Sequence, residues 1–267
     1  MATALRPLST GELVDRALSL YRRHFALFLG IFAIPHIFVF AFQCLGFAYQ
    51  TPGKPTPGFV WTMGTFLLSM VVSAASQAAT VIAVSHVHLD RPATVLDSFS
   101  KIKNQIPGVI GLSLAVGFLV VLGCFALIVP GILLAIRWSL AVPAKILEDR
   151  SVGDAMSRSS QLSKGDRGRI FLVWMLFIVL SFGLAMLLRW PVEAAAGVKS
   201  IFALQHVAVK YRIASLVTTF IAQCLVGPLA TIAFSLIYYD ERVRKEAFDL
   251  QLMMDTLDAP VLQGVPA

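Results

Sequence analysis

Residues Ile106–Leu147 read IPGVIGLSLAVGFLVVLGCFALIVPGILLAIRWSLAVPAKIL, an apolar run that decides the fold. The run is about twice as long as the ~20 residues that cross a ~30 Å hydrocarbon core. Near its middle stand Val129, Pro130 and Gly131. Proline cannot donate a backbone hydrogen bond, and glycine reaches conformations closed to other residues. The alternative, one kinked helix, is too long for the bilayer, so we predict a hairpin of two membrane helices with its turn at Pro130 and Gly131.

Six apolar segments run along the chain. They are Phe25–Tyr49, Phe59–His86, Ile106–Val129, Ile132–Leu147, Ile170–Trp190 and Ile213–Tyr239, and none contains Asp or Glu. Only 14% of the 267 residues are charged, against about 25% in soluble domains, and the bilayer interior excludes charge. The sequence therefore predicts an all-α fold, a polytopic membrane bundle of about six transmembrane helices in three hairpins, with amphipathic surface helices.

Lysine and arginine are distributed unevenly between the predicted loops. With an even number of spans both termini share one side, and that side holds fifteen of the 22 basic residues while the other holds five. Arg137 and Lys145 fall within the fourth segment. Since basic residues are retained in the cytoplasm, we predict a multi-pass protein of the cell (inner) membrane with both termini cytoplasmic. The net charge of +7 has the same cause, so no nucleic-acid partner is expected.

The predicted outer loop at 191–212 is unusually basic. Together with Arg189 it carries four of the five basic residues of that side. Its apolar and polar residues are arranged amphipathically in places, which predicts an interfacial helix, with a re-entrant segment as the alternative.

Three polar stretches, Ser9–Arg23, Arg91–Gln105 and Ser151–Gly165, each precede a pair of apolar segments. They align without gaps, and apolar residues seven positions apart coincide: Leu13 and Leu20, Val95 and Ile102, Ala155 and Leu162. The first stretch opens with Ser9-x-x-Glu12, the pattern of a capping box. We predict a single membrane domain, 1–267, with candidate repeat units at 9–88, 91–148 and 151–240 and a C-terminal cytoplasmic amphipathic helix and tail at 241–267. A chance alignment of amphipathic helices is the alternative.

Several short stretches resemble a known family. They are PLSTGELVDRA at 7–17, LYRR at 20–23, IVPGI at 128–132, RWSLA at 137–141 with Glu148, and the positions Ala155, Ser159, Leu162 and Gly165. Together they are similar to bacterial and archaeal proteins that carry the glycerophosphoryl diester phosphodiesterase membrane domain, and to related uncharacterised inner-membrane families. The resemblance covers most of the chain and rests on structural motifs.

In some members of that family the membrane region is fused to a phosphodiesterase domain. Only residues 240–267 follow Tyr239, far fewer than the ~250 of a catalytic barrel. The sequence also lacks a nucleophile elbow, a phosphate-binding loop, a dinucleotide fingerprint and a zinc-protease motif. We therefore expect no phosphodiesterase domain, no enzymatic activity, and neither cofactor nor metal.

Arg137 is the most informative charged residue. It lies six residues beyond Gly131, about 9 Å into the membrane at 1.5 Å per residue, and no predicted span offers it a carboxylate. Two roles are open. In a structural role, its guanidinium snorkels outward or donates to carbonyls exposed near Pro130. In a binding role, it contacts a lipid phosphate or another anion.

The second apolar segment contains small and polar residues, with Ser69, Ser73, Ser76 and Gln77 among several alanines. Small residues let membrane helices pack closely, and hydroxyls can hydrogen-bond across the contact, so we predict a role in helix packing. A polar permeation path is the alternative. His36, which follows Pro35, and the prolines at Pro143 and Pro228 are weak signs of broken helices, which can bind ions or substrates.

These observations leave three classes of function. The first, favoured by the lack of intramembrane carboxylates and catalytic motifs, is a structural, accessory or lipid-associated membrane protein. Its expected partners are membrane lipids, with other membrane proteins or a second copy left open. The second is a transporter or a lipid or anion conduit that uses Arg137. The third, an intramembrane enzyme, requires a convergent polar site that the sequence alone does not assemble.

Overall fold

The structure is a computed structural model of the chain, and it describes residues 8–48, 58–88, 91–197 and 208–246. Those residues form helices and no strands. The helices are α1 Thr10–Arg23, α2 Phe25–Ala48, α3 Phe59–His88, α4 Val95–Ile102, α5 Ile106–Ala126, α6 Ile128–Arg137, α7 Ala141–Glu148, α8 Val152–Leu162, α9 Arg167–Ala195 and α10 Val209–Glu246. Six stretches are long and apolar enough to cross a membrane: α2, α3, α5, α6 with α7, α9 and α10. The prediction of an all-α polytopic bundle is confirmed.

The spans pair in chain order, α2 with α3, α5 with α6, and α9 with α10. α10 also contacts α1, α2 and α3, and α3 also contacts α4, α5 and α7. Among the described residues, α3 and α10 are accordingly the most buried spans, whereas α5 and α9 expose most of their surface. The two central spans therefore decide what lies in the interior of the bundle.

The short helices α1, α4 and α8 each precede a pair of spans. Each begins at a hydroxyl side chain that accepts a hydrogen bond from the backbone N–H three residues later: Ser9 from Glu12, Thr94 from Asp97, Ser151 from Asp154. The capping box predicted at Ser9 is present in full. Counted from these caps, the fourth and eighth residues are buried in all three helices: Leu13 and Ala17, Ser98 and Ile102, Ala155 and Ser159.

This register corrects the alignment of the three stretches. Thr94, not Arg91, corresponds to Ser9, so the second stretch is displaced by three residues. A shift of three residues keeps nearly the same helix face inward, and apolar spacing alone therefore did not distinguish the two alignments. The limits of the repeat units remain a prediction.

The predicted hairpin of α5 and α6 is present, but its turn is not at Pro130 and Gly131. The helix is interrupted at Leu127, which is extended with φ −164° and ψ 143°, and both predicted turn residues lie in the first turn of α6. Proline clashes with the carbonyl four residues earlier, here that of Ala126, so α5 ends at that residue. Gly131 allows α5 and α6 to approach each other closely, because a Cβ at this position would lie 2.7 Å from the backbone nitrogen of Cys124 on α5.

The fourth span is broken into α6 and α7. Between them, Trp138–Leu140 form a tightened turn in which the N–H of Ala141 donates to the carbonyl of Trp138 at 3.1 Å. Pro143 follows Ser139 by four residues, and the clash of its ring with the carbonyl of Ser139 favours a break in the helix at this point. The same rule therefore explains both interruptions in the stretch 106–147.

Two predicted boundaries differ from the structure. α9 continues to Ala195 and α10 begins at Val209, so both ends of the loop predicted at 191–212 belong to spans, while residues 198–207 lie outside the described residues. α10 also continues without interruption through Glu241 to Glu246. The C-terminal helix predicted from residue 241 thus begins as part of the sixth span, and residues 247–267 lie outside the described ranges.

Candidate functional site

A cavity of about 530 Å³ lies between five of the six spans. It is bordered by α2, α3, α9, α10, and the break between α6 and α7 together with the start of α7. Its polar lining residues are His36, Ser73, Gln77, Ser139, Ser181, Thr219, Gln223 and Thr231. The rest of the lining is apolar, and no described residue that borders the cavity is Asp, Glu, Lys or Arg. The site is therefore polar but carries no acidic or permanently charged basic side chain.

The cavity lies near the middle of the bundle. His36 is eleven residues beyond Phe25, where α2 begins, and Gln77 is eleven residues before His88, where α3 ends. At 1.5 Å per residue both lie about 16 Å from the end of the bundle that carries the short helices. This distance is about half of a ~30 Å hydrocarbon core, which places His36 and Gln77 near the middle of their spans.

Two polar stripes on the central spans supply much of the lining. On α10 the lining residues Thr219, Gln223, Gly227 and Thr231 follow one another at intervals of four. On α3 the residues Ser73 and Gln77 have the same spacing. A spacing of four places side chains on one helix face, so each central helix turns a polar stripe toward the cavity.

His36 is held in a fixed orientation at the cavity wall. Its side chain is 5% exposed, its ring stacks on Phe32, and its Nδ1 lies 2.8 Å from the carbonyl oxygen of Phe32. A carbonyl only accepts hydrogen bonds, so Nδ1 carries a hydrogen and donates it. The opposite nitrogen, Nε2, faces the hydroxyl of Ser73 at 3.4 Å. The sequence indicated His36 only as a neighbour of Pro35, and its pairing with α3 depends on tertiary packing.

The four residues predicted to pack α3 have different positions. Ser76 is fully buried and does not line the main cavity. Ser73 and Gln77 line the main cavity and also a second one of about 180 Å³, which Ser69 and Ser113 border as well. The second cavity thus adjoins the main one between α3 and α5. Three of the four residues therefore border a cavity, and their role in helix packing or in a polar path stays a prediction.

Arg137 does not border the cavity. Its side chain is exposed at the end of α6, where Nε donates to Ser160 of α8 at 2.7 Å and the guanidinium lies 5.9 Å from the ring centre of Trp138. Arg137 thus connects the broken span to α8. Contact between this residue and an anion or a lipid stays a prediction, separate from the cavity.

α8 also supplies hydrogen bonds to the break itself. Ser159, fully buried, donates to the carbonyl of Arg137 at 2.9 Å and accepts from the N–H of Leu140 at 3.2 Å. Ser163 donates to the same carbonyl at 3.3 Å. A helix break inside a membrane must have its backbone groups satisfied by protein, and two serines of α8 meet that need.

One comparison with known proteins identifies the family. The profile of the family described as the membrane domain of glycerophosphoryl diester phosphodiesterase matches residues 99–256, more than half of the chain. The chain belongs to this family. No curated protein and no solved structure matches it.

The match to the phosphodiesterase membrane-domain family covers some of the helices that border the cavity and leaves out others. It covers the α5–α6 hairpin, the broken fourth span, α9 and the α10 stripe. It leaves out α2 and α3, and with them His36, Ser73 and Gln77. The family match therefore includes only part of the cavity wall, and the match itself assigns no ligand to it.

At the short-helix end of this family member, half-buried carboxylates tie the elements together. Glu148 accepts hydrogen bonds from Arg150, Tyr238 and Arg158, the last at 3.0 Å. The hydrogen bond with the Glu246 carboxylate, more than that with Glu148, raises the pKa of Arg158 above its usual range. This network joins α7, α8 and α10.

A second network surrounds Asp240, which is 4% exposed. It accepts from the backbone N–H of Leu8 at 2.7 Å, from Arg244 at 2.8 Å, and from Arg169. The contacts join α10 to α9 and to Leu8, which precedes the capping residue of α1. Sequence reasoning did not identify either network, because each forms between segments distant along the chain. In the described ranges, no group of three His, Cys, Asp or Glu residues is placed to hold a metal ion.

Proposed function

We propose that this protein binds an uncharged amphipathic molecule in the cavity between its membrane helices and acts as an intramembrane carrier or transporter for it. The observation that carries the proposal is the cavity of about 530 Å³, which combines hydrogen-bonding side chains with apolar walls at mid-bundle. Ligand sites in proteins typically measure about 300–1,000 Å³ and are mostly apolar, with a few converging polar groups. The cavity has both properties.

Without a ligand, the cavity and its polar lining lower the stability of the helix bundle. Membrane helices associate through van der Waals packing and interhelical hydrogen bonds, and a cavity forfeits both. Gln77 on α3 and Gln223 on α10 border this cavity from the two central spans, where packing would favour apolar side chains. A bound molecule with polar and apolar parts would restore the contacts that the cavity removes.

The absence of acidic, lysine and arginine side chains from the described lining supports an uncharged ligand. An isolated charge placed in an apolar interior costs several kcal/mol or more unless an opposite charge lies beside it. Arg137, the residue expected to hold an anion, contacts Ser160 outside the cavity. An uncharged molecule therefore fits this site better than an anion does.

An uncharged amphipathic ligand also accords with lipids as the partners of this protein. A molecule of that kind is concentrated in the bilayer, and the second cavity, which shares Ser73 and Gln77 with the first, extends the polar space between α3 and α5. We propose the cell (inner) membrane as the location, with both termini in the cytoplasm. The support is the excess of lysine and arginine on that side.

Photo-crosslinking in lipid nanodiscs tests the proposal. The probes are a diazirine-bearing alkylglycerol, which is uncharged, and a diazirine-bearing alkyl phosphate, which is an anion. The alkylglycerol should label peptides of α10 that border the cavity. Ala185→Phe, which fills the cavity from α9, should abolish that labelling. Met186→Phe, at the next position but 66% exposed, should leave it intact.

Two outcomes would overturn the proposal. One is labelling confined to the exposed face of the bundle. The other is equal labelling of cavity peptides in wild type and Ala185→Phe. Preferential labelling of the cavity by the alkyl phosphate would instead show that the ligand is an anion.

A second candidate function rests on the contact of Ser73 with His36. A histidine nitrogen that faces a serine hydroxyl can act as its general base, as in serine hydrolases. The 3.4 Å separation is long for this role, and a carbonyl rather than a carboxylate orients the ring, so binding is the better-supported function. A fluorophosphonate probe would label Ser73 in wild type but not in His36→Gln if the pair were nucleophilic. Absence of fluorophosphonate labelling in preparations that the alkylglycerol probe labels would reject this candidate.

A further inference from the structure

Three hydroxyl groups of the cavity wall donate their hydrogens to the backbone. Thr219 donates to the carbonyl of Ser215 at 2.9 Å, and Thr231 to that of Gly227 at 3.0 Å. Ser139, in the break of the fourth span, donates to the carbonyl of Ile136 at 2.9 Å. A hydroxyl has one hydrogen and two lone pairs, so each of these oxygens retains only acceptor capacity for a ligand.

His36 gives Ser73 the same character. Its Nδ1–H donates to Phe32, and in the neutral ring the remaining nitrogen, Nε2, is an acceptor. Ser73 lies 3.4 Å from that nitrogen and can donate to it, which uses the single lone pair of Nε2 and leaves the lone pairs of the serine oxygen available. Hydrogen-bond acceptors open to a ligand are therefore contributed by α3, α10 and the break of the fourth span.

We infer that the cavity recognises its ligand as a hydrogen-bond donor, namely an alcohol headgroup with at least two hydroxyls attached to an apolar chain. The inference rests on the proposed function and specifies the ligand class of the same site. The two glutamines, Gln77 and Gln223, and the hydroxyl of Ser181 can donate or accept, and they adapt to the oxygen of such a hydroxyl. The apolar wall, which includes Phe32, Phe182 and Phe234, accommodates the chain.

An alkylammonium ion also donates hydrogen bonds, but it fits the site less well. It would bring a positive charge to the bilayer centre, and no described lining residue is a carboxylate that could neutralise it. Aromatic rings contribute only about 1–2 kcal/mol toward a cation, less than its cost of desolvation. The acceptor-rich wall and its lack of carboxylates together select uncharged polyols over amines.

A competition experiment with matched ligands tests the inference. Crosslinking of the diazirine-bearing alkylglycerol is competed with 1-O-dodecylglycerol, with its 2,3-di-O-methyl ether, and with dodecylammonium. The ether keeps every oxygen and the chain but has no hydrogen to donate. Two lost hydrogen bonds predict that the ether competes roughly 25-fold more weakly than the diol. Dodecylammonium is expected to compete weakly as well.

Adjacent threonines of α10 provide matched variants. Thr218 and Thr219 both donate to the carbonyl of Ser215 at 2.9 Å, but only Thr219 borders the cavity. Thr219→Val should weaken competition by the diol on the order of fivefold and leave competition by the ether unchanged. Thr218→Val makes the same isosteric change outside the cavity and should affect neither ligand.

The outcomes separate the two proposals. If the alkylglycerol probe does not label the cavity, the proposed function itself fails. If the probe labels the cavity but the ether competes as well as the diol, binding stands and the donor inference is refuted. Stronger competition by dodecylammonium than by the diol would likewise refute it, in favour of a cation. Equal effects of Thr218→Val and Thr219→Val would show that the change acts through α10 and not through the ligand.

Discussion

Replacing Ser159 by alanine should destabilise the broken fourth span. In the wild type the hydroxyl of Ser159 donates to the carbonyl of Arg137 and accepts from the N–H of Leu140, at 2.9 and 3.2 Å. Leu140 is fully buried, so its N–H would be left without that acceptor and without water. The carbonyl of Arg137 would keep only its bond from Ser163 at 3.3 Å.

The magnitude follows from these losses. A buried donor left unsatisfied costs about 1–3 kcal/mol, and a weakened hydrogen bond about 0.5–1 kcal/mol. Alanine favours the helical conformation of α8 by about 0.5 kcal/mol over serine, which offsets part of the loss. We therefore expect Ser159→Ala to lower the free energy of unfolding by about 2 kcal/mol. Ser163→Ala removes a hydroxyl whose single hydrogen is shared between the carbonyls of Arg137 and Ser160, both at 3.3 Å, and should cost less than about 1 kcal/mol.

Reversible unfolding in mixed micelles measures both values, and Trp138, inside the break, offers a fluorescence signal near the site. Hydrogen exchange provides a local readout, because the amide of Leu140 should exchange faster in Ser159→Ala than in Ser163→Ala. Equal stability of wild type and Ser159→Ala, or a larger loss in Ser163→Ala, would refute the role given to Ser159.

Three further predictions concern the hairpin, the charge networks and the topology. Gly131→Ala should destabilise the protein by about 1–3 kcal/mol in the same unfolding assay, because the new Cβ would lie 2.7 Å from the backbone of Cys124. Gly183→Ala, where nothing lies within 4 Å of the new Cβ, should be tolerated. Asp240→Asn should cost about 3 kcal/mol, since it removes the buried carboxylate that pairs with Arg169, and a loss that shrinks markedly from low to high salt would show that the pair is not buried as described. A reporter that is active only in the cytoplasm should be active at either terminus, and activity at one terminus alone would contradict an even number of spans.

The polar stripe of α3 was visible in the sequence, but its role was not. Ser69, Ser73 and Gln77 recur at intervals of four, a spacing that serves helix packing and cavity lining equally well. Thr219, Gln223 and Thr231 show the same spacing in the sixth span, and this signal could have been found. Spacing along the sequence does not specify which faces of two spans meet. The cavity exists only because these two stripes border the same space.

The breaks in the stretch 106–147 show a similar division. Pro130 and Pro143 favour breaks in the helix for a local reason, because each ring clashes with the carbonyl four residues earlier. The turn nevertheless formed at Leu127 rather than at Pro130 and Gly131, since Gly131 is needed where α5 and α6 touch. The satisfaction of the second break by Ser159 depends on the docking of α8, which spacing along the chain does not predict.

The sequence by itself determined the membrane fold, the six spans, the hairpin order and the cap of α1. These properties depend on residues close together in the chain, namely the length of apolar runs, the missing N–H of proline and side chains near a helix start. Only the tertiary structure decided that His36 faces Ser73, that Arg137 lies outside the cavity, and that Asp240 is buried among cations. Each of these depends on contacts between segments that are far apart in the sequence. A rotation of one helix by the angle of a single residue, about 100°, would replace one contact partner by another.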